Sequence, residues 1–144
     1  MATQAFLGQG TQYQRETAPA SGLFETIAEV RSISGPTFEA DEVDVTNMDS
    51  PSGFREFIQG LKDGGNITFG LNFLPHTAGH QQLLDDLKTG IKRNYRVRWP
   101  QLPTVHRMNH EGFVKSVPLE IPVDDAVTAQ VTIRVSGEPV IESE

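Results

Sequence analysis

From Val127 to Val135 the chain alternates without a break: Val127, Ala129, Val131, Ile133 and Val135 lie on one side of an extended backbone, and Thr128, Gln130, Thr132 and Arg134 on the other. A helix would scatter these residues around its circumference; only a strand with one buried face uses them all. The stretch from Asn66 repeats the device, with Ile67, Phe69, Leu71 and Phe73 opposed to Asn66, Thr68, Gly70 and Asn72. Two such strands need a shared core, so the fold begins from an antiparallel sheet with one wet face.

Further strands follow from weaker versions of the pattern. The run "FETIAEVRSISG" reads as one strand ending at Ser34-Gly35-Pro36, and "TFEADEVDVT" sets Val43 and Val45 against Glu42, Asp44 and Thr46, an acidic face that should meet water. In "NYRVRWP", Tyr95, Val97 and Trp99 oppose Arg96 and Arg98 in the manner of core residues, and the less regular stretch Val105–Val117 accommodates another strand pair. One segment is helical in period: His80, Leu83, Leu84 and Leu87 share a face, Thr77 is placed to cap the start and Gly90 to close the end. These elements predict a mainly β fold, an antiparallel β-sandwich or barrel with one flanking α-helix. At 144 residues the chain fits one domain, read as 23–144, preceded by a Gln-, Thr-, Ala- and Gly-rich arm over 1–22 whose bulky apolar groups are Phe6, Leu7 and Tyr13.

The same sequence excludes several kinds of chemistry. It has no cysteine, so disulfides and thiolate sites are out. A net charge of -7 is the wrong sign for gripping phosphate, and no stretch approaches the ~20 apolar residues of a membrane span or the pattern of an export signal. His76 with His80, and His106 with His110, have metal-like i, i+4 spacing, but His76 precedes the helix and the second pair falls in a strand, where four residues separate the rings by ~13 Å. "NHEG" lacks the second histidine of a zinc protease, and no nucleophile elbow or phosphate loop is present. Glu39, Asp41, Glu42 and Asp44 lack the spacing of a calcium loop. The expectation is a protein that is not an enzyme and needs no metal or cofactor.

That leaves Val45–Gly65, "VTNMDSPSGFREFIQGLKDGG", which joins two strands yet is far longer than the ~2–5 residues of an ordinary hairpin loop. Phe54, Phe57, Ile58 and Leu61 fall at i, i+3, i+4 and i+7, the spacing of one helical face, and that face needs a cover.

The segment "AEVRSISGPTFEADEVDVTNMDSPSGFREFIQGLKDGGNITFGLNF" closely resembles the tail tube proteins of lambda-type siphophages. "HQQLLDDLKTG", "RNYRVRWP", the Gly112-Phe113-Val114 turn and "VTAQVTIRVSGEP" extend the resemblance, in order, over nearly the whole chain. It implies a structural virion protein whose six-fold rings stack into a hollow tube, assembled in the host cytoplasm. Its implied partners are further copies of itself, the tape measure protein in the lumen, and tail terminator and distal tail proteins at the ends. DNA would pass without specific binding, and no membrane binding is implied. The sequence closes on "VSGEPVIESE", so the extra immunoglobulin-like domain of the lambda protein, and any surface-binding role of such a domain, is not expected to carry over.

On this reading Met48, Asp49, Phe54, Arg55, Glu56, Phe57, Ile58 and Leu61, with Phe6 and Tyr13 of the arm, are the expected subunit and ring contacts. Asp41, Glu42 and Asp44 are the candidates for an acidic lumen wall that repels DNA. Two alternatives stay open: the tube protein of a phage-derived or secretion-type injection machine, and a monomeric β-sandwich binding module using Tyr95 and Trp99.

Overall fold

The computed structural model describes residues 2–144; Met1 lies outside the described residues. The strands are β1 (Gln12–Glu16), β2 (Phe24–Thr26), β3 (Val30–Ser34), β4 (Glu39–Asp44), β5 (Phe57–Asp63), β6 (Asn66–Asn72), β7 (Arg93–Trp99), β8 (His106–Ser116), β9 (Leu119–Glu120) and β10 (Thr128–Ser143). One helix, α1 (Ala78–Thr89), separates β6 from β7. All pairings are antiparallel.

The main sheet runs β2-β1-β7-β8-β10-β6-β3, with β9 also on β10. Its two end strands, β2 and β3, are joined by only Ile27, Ala28 and Glu29. Seven flat strands would hold them about 29 Å apart at ~4.8 Å per strand, a gap that so short a link cannot cross. The sheet therefore curls until its ends meet, as a sandwich closing toward a barrel. The link laces the two edges together: Ile27 N–H donates to the Tyr13 carbonyl at 2.9 Å, and Asn72 N–H to the Glu29 carbonyl at 3.0 Å.

The strictly alternating strands behave as their patterns require. Ile67, Phe69 and Leu71 of β6 and Ala129, Val131, Ile133 and Val135 of β10 are buried, joined by Tyr95, Val97, Met108 and Val114. Burying each large apolar side chain contributes about 1.5–3 kcal/mol. β10 runs further than its pattern, through a register shift between Ser136 and Val140 to Ser143, and β8 is one long strand where two were expected. "FETIAEVRSIS", expected as a single strand, is broken into β2 and β3 by the edge-to-edge link.

The arm is shorter than expected. Gln12–Glu16 is a strand inside the main sheet, between β2 and β7, so the arm comprises residues 2–11. Tyr13, expected at a subunit interface, is instead fully buried in its own core, stacked on Phe69 with centroids 4.4 Å apart and bonded to His110 Nε2 at 2.9 Å. Its hydroxyl pKa is pushed up, by burial first and then by Tyr95. Only one residue in "QYQRE" is apolar, because the strand's other buried groups are charged and find partners through tertiary contact.

The Glu16 carboxylate accepts from Ala20 N–H at 3.0 Å and Gly22 N–H at 3.1 Å, and the partners of Arg15 sit on α1. Arg15 grips Asp86 bidentately, Nε to Oδ2 at 2.7 Å and Nη2 to Oδ1 at 2.9 Å, while Arg93 of β7 reaches Oδ1 at 3.0 Å. Arg15 Nη1 also donates to Gln82 at 3.0 Å. This clamp rotates the helix from its expected orientation: His80, Leu83 and Asp86 are buried, Leu84 is half-buried and Leu87 is exposed. Both nitrogens of His80 are engaged, Nδ1 accepting from Leu74 N–H at 3.0 Å and Nε2 donating to the Ala28 carbonyl at 2.8 Å. Gly90 closes the helix in the left-handed region at φ 67°, as its position suggested; Thr77 is the N-cap residue, without a side-chain capping bond.

Candidate functional site

Val45–Gly65 is not helical. β4 and β5 form a two-stranded sheet of their own, apart from the main one, with a single 3-10 turn at Pro51–Gly53 near the tip. Val43 pairs with Ile58 and Asp44 with Phe57, so neighbouring Phe57 and Ile58 point to opposite faces. The helical spacing of Phe54, Phe57, Ile58 and Leu61 therefore does not gather them on one side: cross-strand pairing with β4 set the conformation.

The hairpin continues the β3–β6 edge beyond a narrow elbow. An added Cβ on Gly64 would come within 2.8 Å of Val135 Cγ1, and Gly65 has φ 69° with its Cβ position 2.8 Å from the Thr37 carbonyl. "GG" ends the insertion because neither place admits a side chain. The elbow is fastened by Val135 N–H to the Gly65 carbonyl at 3.0 Å and by Arg134 to Asp63 at 2.8 Å. The bond from Arg134, and then that from Gly65 N–H, holds the Asp63 carboxyl below its ordinary pKa.

The tip is built by its polar residues. Asn47 N–H donates to Ser50 Oγ at 3.0 Å, Ser50 Oγ to Glu56 Oε2 at 2.8 Å, Glu56 N–H to Thr46 Oγ1 at 2.8 Å and Asp49 N–H to Asn47 Oδ1 at 2.8 Å. Thr46 N–H bonds Asp44 at 2.9 Å. Thus Glu56, expected as a contact residue, holds the loop together from within. What the network presents outward is apolar: Met48 is 102 % exposed, Phe54 74 % and Leu61 84 %, with Phe57 and Ile58 about half exposed. Asp49 and Arg55 are exposed beside them.

All six residues of β4 are exposed, so both of its faces meet solvent. Glu42, opposite Gln59, and Asp44, opposite Phe57, share one face; Asp41 lies on the other, beside the Cβ position of Gly60 at 3.2 Å. The three acids therefore do not form a single wall. Phe6 is half exposed in the arm, whose base is tied down by Gln101 donating to the Leu7 carbonyl at 3.1 Å. Tyr95 is in the core and Trp99 packs against it, so neither forms an exposed aromatic platform.

An isolated two-stranded hairpin is marginal in water, and this one bears apolar side chains on both faces and an unpaired edge on each strand. The profile of the lambda phage tail tube protein family (TTP) matches residues 4–142. The chain belongs to that family. As a tail tube protein it is a structural component of a virion. It is 26 % identical over 131 residues to structural protein 3 of Pseudomonas phage PAJU2, with 78 % of this chain and 79 % of that protein covered. Its fold is similar to a chain in the tail of an empty gene transfer agent particle refined with C6 symmetry, at TM-score 0.78 and 20 % identity over 96 % of this chain and 99 % of that one. It is also similar to the SPP1 tail tube protein, at TM-score 0.75 and 14 % identity over 97 % and 80 % of the two chains. The fold expected from the sequence, a mainly antiparallel β structure with one helix, is the one these tail tube structures share.

Proposed function

We propose that this tail tube protein is the repeating subunit of a hollow tube, six copies to a ring and rings stacked along one axis, through which DNA leaves the virion. The observation that carries this reading is the hairpin of β4 and β5. Its two apolar faces call for two covering surfaces, and a ring stacked on rings supplies neighbours on more than one side. Met48, Phe54, Phe57, Ile58 and Leu61 are the docking side chains; Asp49 and Arg55 form a charged rim; Glu56 shapes the loop. Phe6 and the remaining arm pack on an adjacent copy. The subunit's role is architectural, without catalysis.

The C6 symmetry of the gene transfer agent tail supports six-fold rings, because the two folds superpose over nearly their full lengths. The excess of 19 acidic over 12 basic residues supports a bore that does not hold DNA. A tape measure protein inside the tube, terminator and distal proteins at its ends, and assembly in the host cytoplasm complete the reading.

Electron microscopy of the purified chain over a concentration series tests it. Rings or tubes are expected; a monomer at every concentration refutes the proposal. Phe57→Asp and Ile58→Asp, one on each hairpin face, should each leave a folded monomer and stop growth.

A further inference from the structure

The curled sheet does not seal completely. β3 pairs only with β6, and its other edge faces the base of the arm across an open cleft of about 720 Å³. Val30, Ile33, Val97, Trp99 and Met108 line it, so the cleft reaches the hydrophobic core. Arg31 borders it and makes no ion pair among the described residues.

The hairpin tip has complementary chemistry. Met48 and Phe54 project as apolar knobs, and the adjacent Asp49 makes no ion pair among the described residues, whereas Asp44 and Glu56 are occupied by the loop's own hydrogen bonds. The tip cannot fill the cleft of its own chain. Gly35, next to the elbow, lines the cleft, and the β4–β5 ladder holds the tip about 20 Å away at ~3.3 Å per residue.

We propose that the cleft beside β3 is the socket for the hairpin tip of a second copy, with Met48 and Phe54 entering against Val30, Ile33 and Trp99, and Asp49 set against Arg31. The proposal rests on the tube reading and names the surface that reading leaves undefined. Knob and socket are different surfaces of one chain, so the contact is heterologous and leaves a free knob and a free socket after every addition. That is the geometry of open-ended growth rather than of a closed dimer.

The absence of native cysteine makes the test direct. Chains carrying Phe54→Cys, mixed with chains carrying Ser32→Cys on the cleft border, should form disulfide-linked dimers when assembled and oxidised. The double variant should form a covalent ladder. A second pair, Met48→Cys with Gln9→Cys, covers the case in which the first does not fold. Independently, Arg31→Glu should raise the concentration needed for tube growth about tenfold, as loss of ~1.4 kcal/mol would, and Asp49→Arg in the same chain should restore it. Normal tubes without cross-links from either pair, or unchanged growth of Arg31→Glu, overturn the socket alone. An unmodified chain that forms no rings or tubes overturns the function on which it rests.

Discussion

The ring of Tyr13 stacks on that of Phe69 with centroids 4.4 Å apart, across the join between the first and sixth strands. Those strands lie far apart along the sheet order and meet because the sheet curls. The stack therefore reports closure of the fold, and a residue near the chain start is part of its core.

Tyr13→Ala should destabilise the monomer by about 3–5 kcal/mol, as large aromatic truncations in a core do. Tyr13→Phe keeps the stack and removes the bond to His110, at a cost of about 1–3 kcal/mol for the imidazole nitrogen left unpaired. Denaturant unfolding separates the two effects. Deleting residues 2–9 should leave a folded domain, whereas deleting 2–16 should not.

Asp86→Ala leaves the Arg15 and Arg93 guanidinium groups buried without their shared carboxylate. Breaking such a buried pair costs roughly 3–5 kcal/mol. Unfolding curves should show that loss, and amide exchange should show α1 opening from β1 and β7.

His110 gives the fold a pH dependence. Burial, the largest influence, pushes its pKa down from 6.5 to about 4. Between those values the unfolded chain binds the proton and the folded chain resists it, so stability is full above pH 6.5 and falls as the pH drops toward 4. From pH 7 to pH 5 the loss should be about 2 kcal/mol at ~1.4 kcal/mol per pH unit. Urea titrations at the two pH values check the slope, which His110→Gln should remove.

Ser50→Ala removes the donor to Glu56 that organises the tip. Ser50 is half-buried and its hydroxyl also accepts from Asn47 N–H, so the monomer should lose about 0.5–1.5 kcal/mol, the net worth of a typical hydrogen bond. If the hairpin docks on its neighbours, tube growth followed by light scattering should also slow, because a loosened tip must be ordered on each addition.

Glu42→Lys and Asp44→Lys reverse charge on one face of the hairpin, and Asp41→Lys on the other. In an assembled phage, reversing the charge on whichever face borders the bore should slow DNA ejection, and reversing it on the other should not. Equal ejection rates for all three would remove these acids from the bore.

The sequence alone determined the strands with a dry side and a wet side, because alternation with period 2 is written into neighbouring residues: β6, β7 and the first half of β10 could be read directly. The capped helix was equally local, and the apolar surplus of Val45–Gly65 singled out the segment before its shape was known. Tertiary structure decided the rest. "QYQRE" is polar as a sequence and became a core strand because Asp86, 71 residues from Arg15, neutralises it. The apolar residues from Phe54 to Leu61 fit a helical spacing equally well, and only the ladder to β4 made this segment a strand with two faces. Periodicity encodes which side of an element is buried by its own domain. A hairpin that its own domain does not cover has no such side, so its conformation is fixed by its partner strand and leaves no period to read.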